Sequence, residues 1–220
     1  ICFSKRAAGD FTKSNIKLPK YSKNTNKKVA VIGSGVAGLT SARELFRYGH
    51  KVDIFEKHKS PGGMLNQGIP IFRLPRKIIE REIQQILSLG IKLHLNKNIS
   101  TFKQLSNLAN NYDAVVLAMG TLEANKIDKQ FNLCEQVEDG LDFLLRTNEY
   151  NSKKIGDNVA IIGGGYTSMD CARTALRLGA KSVRTFYRRT RGDLVILPGE
   201  LDELRKEHGV MKFNARPNKI

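Results

Sequence analysis

The chain has 220 residues, with 37 Lys+Arg against 21 Asp+Glu, a formal net charge of +16. That length suits one large or two modest domains, the 40% hydrophobic content can build a core, and the apolar runs are too short to cross a bilayer. The basic balance raises nucleic acid as a partner, but the lysines are interspersed with asparagines and no nucleic-acid motif accompanies them, so a solvated surface is expected, with neither nucleic acid nor membrane as partner.

Residues 1–27 are polar and basic with little periodicity, and they read as a linker or the remnant of a preceding region. Regular patterning begins at Lys28. "KVAVIG" is a buried strand, "VAGLTSARELFRYG" a helix stopped by Gly49, and "HKVDIFEK" the next strand, which together make a β-α-β unit. A second helix follows Pro75, with Ile78, Ile79, Ile83, Ile86 and Leu87 on one face and Gly90 at its end. "IKLHL" is a strand, 102–109 a short helix, and "YDAVVLAMG" a strongly apolar strand. Residues 121–157 are irregular apart from a helix around 141–146. "NVAIIGGG", "YTSMDCARTALRLGA" and "KSVRTFYRR" then repeat the strand–helix–strand unit, and a last helix over about 199–208 precedes a strand start at "VMKFN". Strands alternating with helices imply an α/β fold with parallel sheets covered on both faces.

Cys2, Cys134 and Cys171 are far apart and form no C-x-x-C, so no zinc site, iron–sulfur cluster or redox dithiol is encoded. Three free thiols fit a reducing compartment, cytoplasmic or an organelle matrix. His50, His58, His94 and His208 are dispersed and read as surface or strand residues rather than as a base or ligands.

Each β-α-β unit carries a glycine turn between its first strand and its helix. In the first, Gly33, Gly35 and Gly38 fit G-x-G-x-x-G. Gly33 permits the tight turn, Gly35 lets a pyrophosphate approach the backbone, and Gly38 lets helix and strand pack closely. The helix N-terminus then presents free N–H groups to the phosphates. Glu56 ends the next strand, where an acid binds ribose hydroxyls. In the second turn Gly163 and Gly165 hold the first two positions and Ser168 the third. The following strand ends at Arg188 with no carboxylate. Arginine there suits a 2′-phosphate and so NADPH rather than NADH, against the plainer alternative of a solvated strand end. An acid in one unit and arginines in the other suggest two cofactors, FAD in the first and NADPH in the second.

"VAVIGSGVAGL", "VDIFEK", "PGGMLNQGIPIFRLPR" and "VAIIGGGYTSMDCARTALRLGAKSV…YRR" resemble the family of the small (beta) subunit of NADPH-dependent glutamate synthase, whose module also occurs in dihydropyrimidine dehydrogenase and in ferredoxin-NADP reductase-like subunits. The resemblance covers about 28–213. It implies two Rossmann-like dinucleotide-binding domains of the FAD/NAD(P)-binding fold, 28–150 for FAD and 151–220 for NADPH. Both are incomplete here, because the family's C-terminal return to the flavin site, with its Gly-Asp motif, is missing before Ile220. It places Gly33, Ser34, Gly35, Ala37 and Gly38 around the FAD pyrophosphate and Glu56 and Lys57 at the adenosine ribose. Gly63, Met64 and Leu65 would line the flavin side, with Ile69 and Arg73 near the isoalloxazine and Ile99 at adenine. Ala118 and Gly120 match a family turn. Gly163, Gly164, Gly165, Tyr166 and Thr167 would meet the NADPH pyrophosphate, and Arg188 and Arg189 the 2′-phosphate. Tyr166 stands where the family usually has Asn.

The implied chemistry is a hydride passed from nicotinamide C4 to flavin N5, with positioning carrying the step and no catalytic protein residue or metal. Electrons would go on to an electron-accepting subunit or domain, resembling a glutamate synthase large subunit or an iron–sulfur protein. The dithiols of glutathione- and thioredoxin-reductase relatives are absent, so disulfide reduction is not expected. The alternative is a truncated or split family member that keeps the fold without independent catalysis.

Overall fold

A computed structural model of the chain describes residues 2–11, 22–121 and 134–218. Two compact units emerge. The first holds Ile1–Leu65 and Leu74–Gly120, the second Asn66–Arg73 and Thr121–Ile220.

In the first unit, β1 (Lys28–Ile32), β2 (Lys51–Phe55), β3 (Lys92–His94) and β4 (Ala114–Leu117) form a parallel sheet in the order β3-β2-β1-β4. The helices between them are α2 (Val36–Arg47), α4 (Arg76–Leu87) and α5 (Phe102–Asn111). The chain steps from β1 to β2 to β3 in one direction, then jumps back over β1 to β4. Right-handed crossovers therefore put α2 and α4 on one face and α5 on the other. Val31, Leu39, Ala42, Val52, Ile54, Ile79 and Ile83 fill the α2/α4 side, and Ala30, Ile32 and Leu108 the α5 side. Thr101 and Gln104 close a capping box at the start of α5, which the apolar pattern alone did not reveal.

In the second unit, β5 (Asn158–Ile162), β6 (Ser182–Phe186) and β7 (Val210–Lys212) run parallel in chain order. Both crossovers, through α7 (Tyr166–Arg177) and α8 (Pro198–Lys206), advance the same way, so both helices lie on one face. The expectation of a sheet covered on both faces thus holds for the first sheet and not for the second. Asn158, Ala160, Ile162 and Arg184 of its other face are exposed. The core holds Met169, Ala172, Ala175, Val183, Leu201 and Leu204, joined by Phe143 and Leu144 of α6 (Gly140–Asn148). Those last two contacts set α6 in the second unit, on the other side of the boundary drawn at residue 150; its apolar spacing marks a buried face without saying which sheet it covers.

Two short elements complete the chain. α3 (Met64–Gln67) follows the "PGG" segment. α1 (Cys2–Phe11) is a helix where the sequence reads as linker, and it is exposed over residues 4–11. An Arg6–Asp10 pair at helical spacing supports it locally. No helix among the described residues is long and apolar enough to cross a membrane.

Candidate functional site: two glycine turns

The first turn leaves β1 at Gly33, whose φ of +100° favours glycine. Its N–H donates to Phe55 O at 2.8 Å, tying the turn to the end of β2. A Cβ on Gly33 would overlap the Ala118 carbonyl, which places the "AMG" turn directly beside the glycine turn. A Cβ on Gly38 would overlap the Gly33 carbonyl oxygen. Both glycines are therefore dictated by the fold itself.

Gly35 differs. Its backbone is extended (φ −70°, ψ −175°), open to any residue, and a Cβ there would meet only Gly63 Cα at an ordinary 3.9 Å. Neither conformation nor packing of the chain calls for glycine here. Gly35 lies at the N-terminus of α2, beside the exposed Val36 and Ala37, and leaves an open cradle there.

The "PGG" segment docks on this turn. Gly62 N–H donates to Ser34 O at 2.9 Å, and a Cβ on Gly63 (φ +54°) would come within 2.8 Å of Gly35 Cα. Gly63 and the exposed Met64 thus stand beside the turn, with Leu65 packed against the α2/α4 core. Glu56 is buried. One of its oxygens accepts from Ser34 N (2.9 Å) and Ser34 Oγ (2.6 Å), the other from His58 N (2.9 Å). The carboxylate expected at the ribose is also a brace of the turn, a role that spacing does not disclose. Lys57 is exposed beside it. Ile99 is half-buried under α5 and borders a hollow of about 410 Å³ lined also by Phe55, Lys97, Gln104 and Leu108. Gly120, with φ +67°, has nothing within 4 Å of a Cβ position.

The second turn repeats the pattern with different chemistry. Gly163 (φ +140°) donates its N–H to Phe186 O at 3.0 Å, as Gly33 does to Phe55. A Cβ there would overlap Ser168 Oγ, so the side chain at the third position is accommodated by its absence at the first. Gly165 has extended backbone (φ −95°, ψ −179°) and nothing within 4 Å of a Cβ position. It is the counterpart of Gly35, and an open cradle again. Tyr166 and Thr167 are exposed at the start of α7, and Tyr166 Oη accepts from Leu197 N at 3.2 Å.

Register corrects one equivalence. Gly33 bonds Phe55 and Gly163 bonds Phe186, so the residue matching Glu56 is Tyr187, and Arg188 matches Lys57. The Tyr187 ring covers Gly164, where a Cβ would come within 2.5 to 2.8 Å of three ring carbons. Its hydroxyl donates to Asp193 O at 2.9 Å. Arg188, Arg189 and Arg191 are all exposed. Asp193 caps the turn of Thr190 and lies in the field of Arg189, while Arg188 has no hydrogen bond or ion pair among the described residues.

Arg73 lies in the second unit, and its guanidinium is engaged by protein. It pairs with Asp170 through Nε and with Glu200 through Nη1 (2.6 Å) and Nη2. These bonds hold Glu200 below the usual carboxylate range, whereas burial outweighs Arg73 at Asp170 and leaves it raised. Phe72 sits under Arg173 and Arg177, 4.8 and 4.3 Å from its ring centre. Three of the five N–H groups of Arg73 thus serve α7 and α8. Ile69 belongs to the same segment of the second unit.

The pyridine nucleotide-disulphide oxidoreductase family matches residues 27–207. The chain belongs to that family. Among its curated relatives, the glutamate synthase [NADPH] small chain of Escherichia coli is 37% identical over 213 residues, covering 89% of this chain and 44% of the relative. The NADP(+)-dependent formate dehydrogenase subunit beta of Moorella thermoacetica is 37% identical over 202 residues, covering 89% and 28%. The chain spans less than half the length of these relatives. A solved 2-naphthoyl-CoA reductase complex superposes with a TM-score of 0.74 at 26% identity, over 98% of this chain and 32% of that one. Mycobacterium tuberculosis FprA in complex with NADPH gives 0.70 at 20% identity over 82% and 47%, a likeness of fold. Each glycine turn of this chain leaves a parallel strand and opens a helix.

Proposed function

We propose that the chain binds FAD on its first glycine turn and NADPH on its second, and serves as an electron-input module. The observation that carries this reading is the open place at Gly35 and Gly165. Each lies at a helix N-terminus, with backbone any residue could adopt and no protein atom closer to a Cβ than the ordinary 3.9 Å contact of Gly35 with Gly63. An outside group approaching the backbone explains glycine at both. Glu56 beside the first turn and Arg188 beside the second, unpaired among the described residues, support an unphosphorylated ribose in one and a 2′-phosphate in the other. The relatives named for NADPH-dependent glutamate synthase and NADP(+)-dependent formate dehydrogenase support the same pairing, and their names as chain or subunit support an electron-accepting subunit or domain as partner.

When bound, the two cofactors supply hydride transfer from nicotinamide to flavin. The chain's own residues position them. The α2 and α7 N-termini offer N–H groups to phosphate, Ser34 and Glu56 hold the first turn rigid, and Arg188 offers a guanidinium fork.

Calorimetry of the purified chain with FAD and with NADP+ tests the reading, using Gly35→Val and Gly165→Val as probes. Each valine should lower affinity for one nucleotide by about tenfold or more and leave the other unchanged. Unchanged affinity for both nucleotides in both variants would overturn the reading.

A further inference from the structure

We infer that the Tyr187–Gly164 pair, and not Arg188 alone, sets the second turn's choice of a 2′-phosphorylated ribose. This rests on the reading of the second turn as a dinucleotide site. The two units supply an internal comparison. Glu56 and Tyr187 occupy the same place, each following the strand residue that accepts the N–H of the first glycine. Ser34 and Gly164 also correspond, each following that glycine.

The two pairs are mutually exclusive. Glu56 depends on Ser34, which supplies both an N–H and an O–H to one carboxylate oxygen. Gly164 has no hydroxyl to offer. Tyr187 in turn depends on the absence of a side chain at 164, because a Cβ there would collide with Cγ, Cδ2 and Cε2 of its ring. Serine at 164 would evict the ring, and glutamate at 187 would lose its hydroxyl donor. Each arrangement is matched within itself.

The consequence is electrostatic. A carboxylate at 187 would sit next to Arg188 in sequence and at the ribose in space. It would accept ribose hydroxyls, draw the guanidinium toward itself and repel a phosphate dianion. The Tyr187 ring fills that place without charge, and its hydroxyl is turned away to Asp193 O. Arg188 stays unpaired among the described residues. The Gly164 N–H, whose counterpart on Ser34 is taken by Glu56, likewise has no acceptor among them.

Calorimetry of the full chain with 2′,5′-ADP and 5′-AMP tests this without needing turnover. The wild type should favour 2′,5′-ADP by about ten- to hundredfold, the weight of one or two charge-assisted bonds. In Gly164→Ser/Tyr187→Glu the preference should fall to about one or invert, mainly through loss of 2′,5′-ADP affinity. Tyr187→Phe, which keeps the ring, should keep the preference. If the double variant does not fold, Tyr187→Gln and Tyr187→Glu replace it: equal in shape, they should differ, with only the glutamate losing the preference. A wild-type preference retained in the folded double variant, or equal preferences in the Gln and Glu variants, overturns the inference alone. A wild type that binds neither nucleotide overturns the reading of the site and this inference with it.

Discussion

Glu56 accepts the backbone N–H and the hydroxyl of Ser34 on a single carboxylate oxygen, at 2.9 and 2.6 Å, while its other oxygen accepts His58 N. Both residues are buried. The end of β2 is thereby fastened to the glycine turn that leaves β1, and the turn is held in shape before any ligand arrives. Glu56→Gln tests this bond set. A glutamine has one acceptor oxygen, so whichever way the amide faces, its NH2 meets either Ser34 N–H or His58 N–H. Leaving a buried donor unsatisfied costs about 1–3 kcal/mol, which a urea titration will show as a lower midpoint. An unchanged midpoint would mean that the carboxylate does not brace the turn.

The glycines of the first turn should separate by what each one touches. Gly38→Ala forces a Cβ into the Gly33 carbonyl, and Gly33→Ala forces one into Ala118 at a positive φ. Both should destabilise the chain by about 2 kcal/mol or more, since backbone on both sides must give. Gly35→Ala meets ordinary contact only and should leave the urea midpoint near that of the wild type. Equal losses across the three would show that Gly35 is held by the fold after all.

Much of this was legible in the residues. Buried strands broken by glycine, followed by amphipathic helices, give two β-α-β units, because hydrophobic period and chain punctuation are local signals. What escaped is non-local. Arg73 finds Asp170 and Glu200 across sequence separations of 97 and 127, and no local pattern points to either. Matching Arg188 to Glu56 failed by one position, because β1 pairs Ile32 with Phe55 while β5 pairs Ile162 with Phe186, one residue further along the chain. Only the register exposes that extra residue, and with it Tyr187. The pairing of Phe143 and Leu144 with Met169 is invisible for the same reason.

Cys171 gives a chemical test of the second core. Its side chain is buried, and Sγ donates to Gly140 O at 3.4 Å where α6 approaches α7. Burial, with Asp170 and Glu138 adding to it, pushes the thiol up to about 12. Almost no thiolate forms near pH 8, so the native chain should leave Cys171 unlabelled by a disulfide exchange reagent. The half-buried Cys134 should react. Peptide mapping by mass spectrometry reads both sites, and Cys171 should label once urea unfolds the chain. Native labelling of Cys171 at the rate of Cys134 would contradict the packing of α6 on α7.

The Arg73 fork joins a second-unit segment to α7 and α8, and its removal should be costly. Arg73, Asp170 and Glu200 are each 80% or more shielded from solvent at the side chain (20, 11 and 14% exposed). Arg73→Met leaves two buried carboxylates, with Arg173, 3.9 Å from Glu200, as the remaining cation. The expected loss is about 3 kcal/mol near neutral pH. Arg73→Lys keeps a charge but loses the fork, and should lose less. The pH dependence follows from sign. Glu200 lies below its ordinary 4.5 in the folded chain, chiefly through its hydrogen bonds from Arg73, so its contribution is present above pH 4.5 and is lost as pH falls through the folded value. Asp170 is raised above its ordinary 3.8 by burial, so protonating it favours the folded state and offsets part of that loss. Urea midpoints at about pH 7 and pH 3.5 should therefore lie closer together in Arg73→Met than in the wild type, because the group holding Glu200 down has gone. A variant that weakens equally at both pH values would place the fork's contribution in packing against Phe72 and its neighbours rather than in the charges.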